Sequence, residues 1–144
     1  MRFFLAAIFA LGLAMTTAGT LAAQTQGEPV FSSYEDMRGT LDDLMSKRRI
    51  ADLLTAFGGA DEMTSQDMFG LETQVRNLFP EDFENSALMM RQQMENGFAQ
   101  DLIAYWTGAG YIYVRLLWHQ RPGGEVLAIN MTFNSDPDVL IPMF

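Results

Sequence analysis

The chain has 144 residues, with 18 Asp and Glu against nine Lys and Arg, one histidine and no cysteine, for a formal net charge of −9. A surplus of carboxylates on this scale lacks the basic footprint that nucleic acid or an anionic lipid surface selects, which argues against both as partners. The missing cysteine removes disulfides, thiolate metal sites, cysteine nucleophiles and lipoprotein anchoring together.

The chain opens MRFFLAAIFALGLAMTTAGTLAAQ. Arg2 supplies a positive start, Phe3 to Met15 an apolar stretch and Thr20 to Ala23 a small-residue cleavage zone, so residues 1–23 read as a signal peptide. No later segment approaches the roughly 20 apolar residues of a membrane span. The expectation is an exported, soluble protein, periplasmic or secreted, without an integral membrane segment after cleavage. Residues 24–31 (QTQGEPVF) show no periodicity and read as a flexible lead-in, with a single domain over residues 32–144. One domain with one core suits this length, since domains commonly run about 100–150 residues.

Ser32-Ser33-Tyr34-Glu35 has the form of a capping box, and Tyr34, Met37, Leu41, Leu44 and Met45 then recur at helical spacing. A second short apolar face is formed by Ile50, Leu53, Leu54 and Phe57, closed by Gly58-Gly59. Thr64 or Ser65 caps a third, carrying Met68, Leu71, Val75, Leu78 and Phe79 and stopped by Pro80.

From Ser86 the period changes to that of strands. Asn96-Gly97 predicts a two-residue hairpin turn, placing Met94 opposite Ala99, Met90 opposite Ile103 and Leu88 opposite Tyr105. Gly108-Ala109 places Ile103 opposite Val114 and Tyr105 opposite Ile112. Pro122-Gly123 pairs Trp118 with Leu127, Leu116 with Ile129, Val114 with Met131 and Ile112 with Phe133. The expectation is an α+β fold, three N-terminal amphipathic helices packed on one face of a four-stranded antiparallel meander. Its strands run about 86–95, 98–106, 111–120 and 125–134, although Met, Gln and Arg in the first also favour helix. A turn at Ser135-Asp136-Pro137 and a short apolar tail, Val139 to Ile141, follow.

This register puts Leu88, Met90, Met94, Ile103, Tyr105, Ile112, Val114, Leu116, Trp118, Leu127, Ile129, Met131 and Phe133 on the face that the helices cover. The opposite face mixes Arg91, Gln93, Gln100, Arg115, His119, Asn130 and Thr132 with Leu102, Trp106, Tyr111, Tyr113 and Leu117. It is too polar for a core and too aromatic for an ordinary wet surface. Leu102, Trp106, Tyr111, Tyr113 and Arg115 are therefore candidates for a partner interface, a homo-oligomer included.

Asp101 and Gln92 are the strongly polar side chains on the covered face and fall opposite each other. A desolvated carboxylate there is a candidate general acid or base, with Tyr105 beside it, and Gln92, Asp101, Tyr105 and Trp118 outline a candidate pocket. The alternative is that Asp101 sits where the sheet edge curves into solvent. His119 lies on the outer face near Arg115 and reads as a surface residue rather than a base. The Met89 to Met94 cluster reads as packing rather than a copper site. No zinc, phosphate-loop, nucleophile-elbow or EF-hand pattern occurs, so neither cofactor nor metal is expected.

Three helices leading into a paired antiparallel sheet, with Ser46-Lys47-Arg48-Arg49-Ile50-Ala51-Asp52-Leu53-Leu54 at the break between the first two helices, resemble the NTF2-like superfamily. This is a cone-shaped α+β fold. The resemblance implies a pocket between helices and sheet for any ligand, and an outer sheet face that joins a second subunit. Its members include isomerases, dehydratases, small-ligand binders and non-catalytic accessory domains. Asp101 and Tyr105 alone would supply the polar groups of such a pocket, with no second acid or histidine on that face and no early hairpin in the chain. The expected function is thus non-catalytic association, the alternative a pocket that binds a small apolar ligand or an isomerase-like or dehydratase-like site at Asp101 and Tyr105.

Overall fold

The computed structural model describes residues 28–144. Residues 1–23, read as a signal peptide, and residues 24–27 lie outside the described residues. Within them the chain is α+β, and no helix is long and apolar enough to cross a membrane.

Helix α1 spans Tyr34–Ser46. Its N-cap is Ser33, one residue later than the sequence pattern suggested, with the Ser33 hydroxyl accepting from the Asp36 N–H at 3.0 Å. The Asp36 carboxylate in turn accepts from the Ser32 N–H and hydroxyl, both at 3.1 Å. Ser33 thus caps the helix in place of Ser32, and Asp36 rather than Glu35 reaches back, to the residue before the cap. Arg48, at φ 55°, turns the chain into α2, Ile50–Ala56. Its guanidinium donates to the Phe79 carbonyl at 2.9 Å and to Asp82 at 2.6 Å, which ties this break to the end of the third helix. Gly58 then takes a left-handed conformation, as expected of a helix-ending glycine. Helix α3, Ser65–Leu78, is capped by the Thr64 hydroxyl, which accepts from the Asp67 N–H. Met68, Leu71 and Val75 are buried, whereas Leu78, expected on the same face, is exposed.

Five antiparallel strands make one sheet in the order β1-β5-β4-β3-β2: β1 Val30–Phe31, β2 Asn85–Gln93, β3 Phe98–Thr107, β4 Gly110–Gln120 and β5 Val126–Asn134. The four expected strands are all present. The added one comes from the segment read as a lead-in, where Val30 and Phe31 pair with Leu127 and Val126. The Phe31 ring packs against Phe57 at 5.1 Å, and this contact anchors a strand too short to be recognised by alternation.

The β3–β4 register is the expected one, with Ile103 opposite Val114 and Tyr105 opposite Ile112 across the Gly108-Ala109 turn. The other two hairpins differ. The β2–β3 loop holds three residues, Glu95 to Gly97, with Asn96 and Gly97 both at positive φ and the Met94 N–H closing on the Phe98 carbonyl. Leu88 therefore faces Ile103 rather than Tyr105, and Gln93 rather than Met94 faces Ala99. Met89 forms a bulge, Met90 falls opposite Leu102, and Leu88 and Met94 stay exposed on this edge strand instead of entering the core. In the β4–β5 hairpin the turn runs from Arg121 to Gly124, at φ 92°, longer than a Pro122-Gly123 loop. Trp118 then faces Ala128, Leu116 faces Met131 and Val114 faces Phe133. Val126 and Ala128 take the core positions expected for Leu127 and Ile129, and a bulge at Ile129 restores Met131 and Phe133 to the core side.

The helices cover one sheet face. Met37, Leu41 and Met45 of α1 and Ile50, Leu53 and Leu54 of α2 pack with Ile103, Val114 and Leu116, all fully buried. After β5 the chain turns back across the opposite face through short 3-10 turns at Pro137–Val139 and Ile141–Met143. The Gln100 side chain donates to the Met143 carbonyl at 3.2 Å, and the Phe144 ring lies 6.0 Å from the Arg115 guanidinium. Leu140 and Leu102 are both buried outside the main core cluster. The apolar tail read at Val139 to Ile141 thus serves as a strap with Leu140 as its anchor. Leu140→Ala is expected to lower the free energy of unfolding by about 2–5 kcal/mol in urea titrations, while Ile141→Ala, at an exposed position of the same strap, stays within about 0.5 kcal/mol of the parent.

Candidate functional site

Asp101 lies on the core side of β3 and has no exposed surface. Its carboxylate accepts from Arg91 Nε at 2.7 Å and Nη2 at 2.8 Å, and from the Tyr34 hydroxyl at 2.7 Å. The residue opposite it is Arg91, not Gln92. The three-residue turn by itself brings a basic side chain to the position where a two-residue turn would have placed an amide, since the Met89 bulge lies beyond Arg91. Gln92 lies on the outer face, where it accepts from Gln100. The Arg91 guanidinium stacks 4.4 Å from the centre of the Tyr34 ring and 5.3 Å from that of Trp118, and these two rings are 5.0 Å apart. Asp101 and Trp118 of the expected pocket do come together, but around an ion pair rather than a cavity. Trp118 Nε1 is the buried side-chain polar atom without a hydrogen bond among the described residues.

Tyr105, also fully buried, donates to Asp42 Oδ1 at 2.6 Å, an oxygen that also accepts from Arg38 Nε at 2.8 Å. Tyr34, Arg38 and Asp42 are spaced four apart on α1 and so share one stripe, laid over Asp101 and Tyr105, four apart on β3. A polar seam thus runs inside an otherwise apolar interface. Helical periodicity in the sequence would have revealed the stripe; the acidic and aromatic groups it meets depend on how α1 docks. Burial, followed by the hydrogen bond to Asp42, pushes the Tyr105 phenol well above the ordinary tyrosine range. Burial and then Asp101 raise Tyr34 in the same direction.

A cleft of about 290 Å³ opens between the C-terminal half of α1 and the start of β2, with Tyr105 and Phe83 in its wall and Asp42, Asp43, Ser46, Glu84, Asn85 and Ser86 around it. Asp101 and Trp118 do not line it. The two groups expected to share an acid–base site are therefore separated, one saturated by an arginine and a tyrosine, the other a neutral phenol bonded to Asp42. No group of three or more acidic or histidine side chains is arranged to hold a metal ion among the described residues. His119 is on the outer face as expected, donating from Nε2 to the Asn96 carbonyl at 2.9 Å and stacking on Phe98 at 4.0 Å, so it braces the β2–β3 turn.

On the outer face Trp106, Tyr111 and Tyr113 form a ladder of nearly parallel rings, with centroids 5.8 and 6.3 Å apart and each pair inclined by 13°. Arg115 continues the row along β4. Leu102, expected with them, is covered within the chain and has 1% of its surface exposed. No family model, curated protein or solved structure matches this chain.

Removing Arg91 leaves a buried carboxylate uncompensated. Arg91→Met is expected to cost about 3 kcal/mol, the low end for such a loss because the arginine keeps some contact with water. The Arg91→Met/Asp101→Leu double variant should cost less than Arg91→Met alone in the same urea titration. The two raised phenols set a pH dependence of the opposite kind. The folded chain holds their protons more tightly than the unfolded chain, whose tyrosines ionise near about pH 10. The stability they contribute is intact below that pH and is lost as pH rises beyond it. Between about pH 9 and 11 the fall in melting temperature should be shallower for Tyr105→Phe than for the parent chain.

Proposed function

We propose that the protein is a small exported, NTF2-like domain that acts without catalysis, by pairing with a second copy through its outer sheet face. The observation that carries this reading is the separation of charge from that face. Residues 28–84, which contain the helices, hold thirteen carboxylates and five cationic side chains, a net −8. Strands β2 to β5 hold one carboxylate, Asp101, and it points into the core. Two copies of so acidic a chain repel one another in most orientations, and the outer face, toward which no strand points a carboxylate, is where they approach with least penalty. That face offers the Trp106–Tyr111–Tyr113 ladder, the type of residue enriched at interface centres.

The element order, three helices and then four antiparallel strands after the short β1, supports the NTF2-like reading. Against an isomerase or dehydratase stands the pairing of Asp101 with Arg91, which removes the base that such a reading needs. A ligand-binding alternative retains the cleft beside Tyr105, whose acidic rim favours a cationic ligand over an apolar one.

Sedimentation of the chain lacking residues 1–23 at micromolar concentration should show a dimer, and Tyr113→Glu, which places a charge in the ladder, should shift it to monomer. A monomeric parent chain at about 100 μM removes the association reading.

A further inference from the structure

Among the described residues Lys47 and six of the seven arginines pair with a carboxylate, at 2.6–3.7 Å. Arg115 is the exception, in a chain with twice as many acidic as basic groups. Its guanidinium is held instead by neutral acceptors: Nε and Nη2 donate to Gln100 Oε1 at 2.9 and 2.6 Å, and Nη1 to Asn130 Oδ1 at 3.3 Å. Gln100 is itself buried and fixed to the Met143 carbonyl and Gln92. The guanidinium is thus braced from behind. Of its five N–H groups three are engaged, which leaves one on each terminal nitrogen. Burial lowers the pKa of this group with no counter-ion to offset it, so its charge is one that an anion would stabilise.

We propose that Arg115 is a carboxylate receptor, and that it binds Asp136 and Asp138 from the C-terminal turn of a second copy. This rests on the association reading above and names the polar contact within it. Three observations favour that occupant. Asp136 and Asp138 are exposed and have no ion pair among the described residues. They begin the strap whose far end lies against Arg115, so both groups border the face through which the copies pair. A two-fold contact also forms twice, satisfying both arginines at once. A planar guanidinium with one N–H free on each terminal nitrogen suits a carboxylate, and such charge-assisted bonds are about twice as strong as neutral ones.

The test is the dimer dissociation constant from sedimentation equilibrium at about 50 mM and about 500 mM salt, where the Debye length falls to a few ångströms. Asp136→Asn/Asp138→Asn keeps the fold, because both positions are exposed and asparagine retains the oxygen that caps the turn. It should raise the dissociation constant at least about tenfold at low salt and remove most of the salt dependence. Arg115→Glu should dissociate the dimer, and Arg115→Glu combined with Asp138→Arg should restore it. An unchanged dissociation constant in the asparagine variant overturns the proposal, while a dimer still broken by Tyr113→Glu leaves the association reading standing. A double reversal no tighter than Arg115→Glu alone overturns the pairing, and a monomeric parent chain overturns both ideas.

Discussion

A carboxylate cut off from water has to be compensated where it lies, and Asp101 is compensated by Arg91 from the edge strand and by Tyr34 from the first helix. Those two donors come from either end of the helical layer, Tyr34 at the start of α1 and Arg91 in the first strand after α3. The interaction therefore selects both the docking of α1 and the register of β2. A slip of one residue in β2 would put Met90 or Gln92 against Asp101 and leave a buried charge with no cation. Apolar packing alone is less discriminating here, because β2 buries little: Leu88 and Met89 both remain exposed.

The same logic extends along α1. Arg38 and Asp42 follow Tyr34 at helical spacing and meet Tyr105, so one stripe of the helix reads one stripe of the strand by hydrogen bonds while Met37, Leu41 and Met45 beside it bury completely. Each buried side-chain polar atom of the seam has a partner except Trp118 Nε1. A satisfied network of this type fixes a single arrangement, and it does so with groups that chemistry would otherwise use. Tyr105 is locked as a donor and Asp101 as an acceptor. The interior polar groups hold the fold together, and the cleft at the end of the seam is bounded by carboxylates that face solvent rather than by a poised acid and base.

The molecule is also divided electrically. Its acidic surplus lies in the helical layer and the C-terminal turn, whereas the outer sheet face has aromatic rings, amides and an arginine braced by Gln100 and Asn130. The strap from Pro137 to Phe144 meets that face at Gln100 and Arg115, while Tyr111 of the ring ladder remains exposed.

Periodicity alone located three helices, four strands and the buried face of β4, because both hydrophobic spacing and turn chemistry are local and each agrees with the other from Gly108-Ala109 outward. The ring ladder was legible for the same reason: Tyr111, Tyr113 and Arg115 alternate on a strand whose register a tight turn sets. What local pattern left undetermined was loop length to one residue. Glu95 joined the Asn96-Gly97 turn, Met89 and Ile129 bulged, and β5 exchanged Leu127 and Ile129 for Val126 and Ala128 in the core. Alternation repeats every two residues, so a single inserted residue reverses which side chains face inward without changing the pattern that announces a strand. The composition and the spacing of apolar residues settled that this is a helix-covered antiparallel sheet in a strongly acidic chain. Only the packed structure settled that Asp101 meets Arg91, that Val30 and Phe31 join the sheet and that the strap after β5 folds back to Gln100 and Arg115. Those contacts link residues far apart in sequence, and long-range pairing is chosen by the burial and charge compensation of the whole molecule.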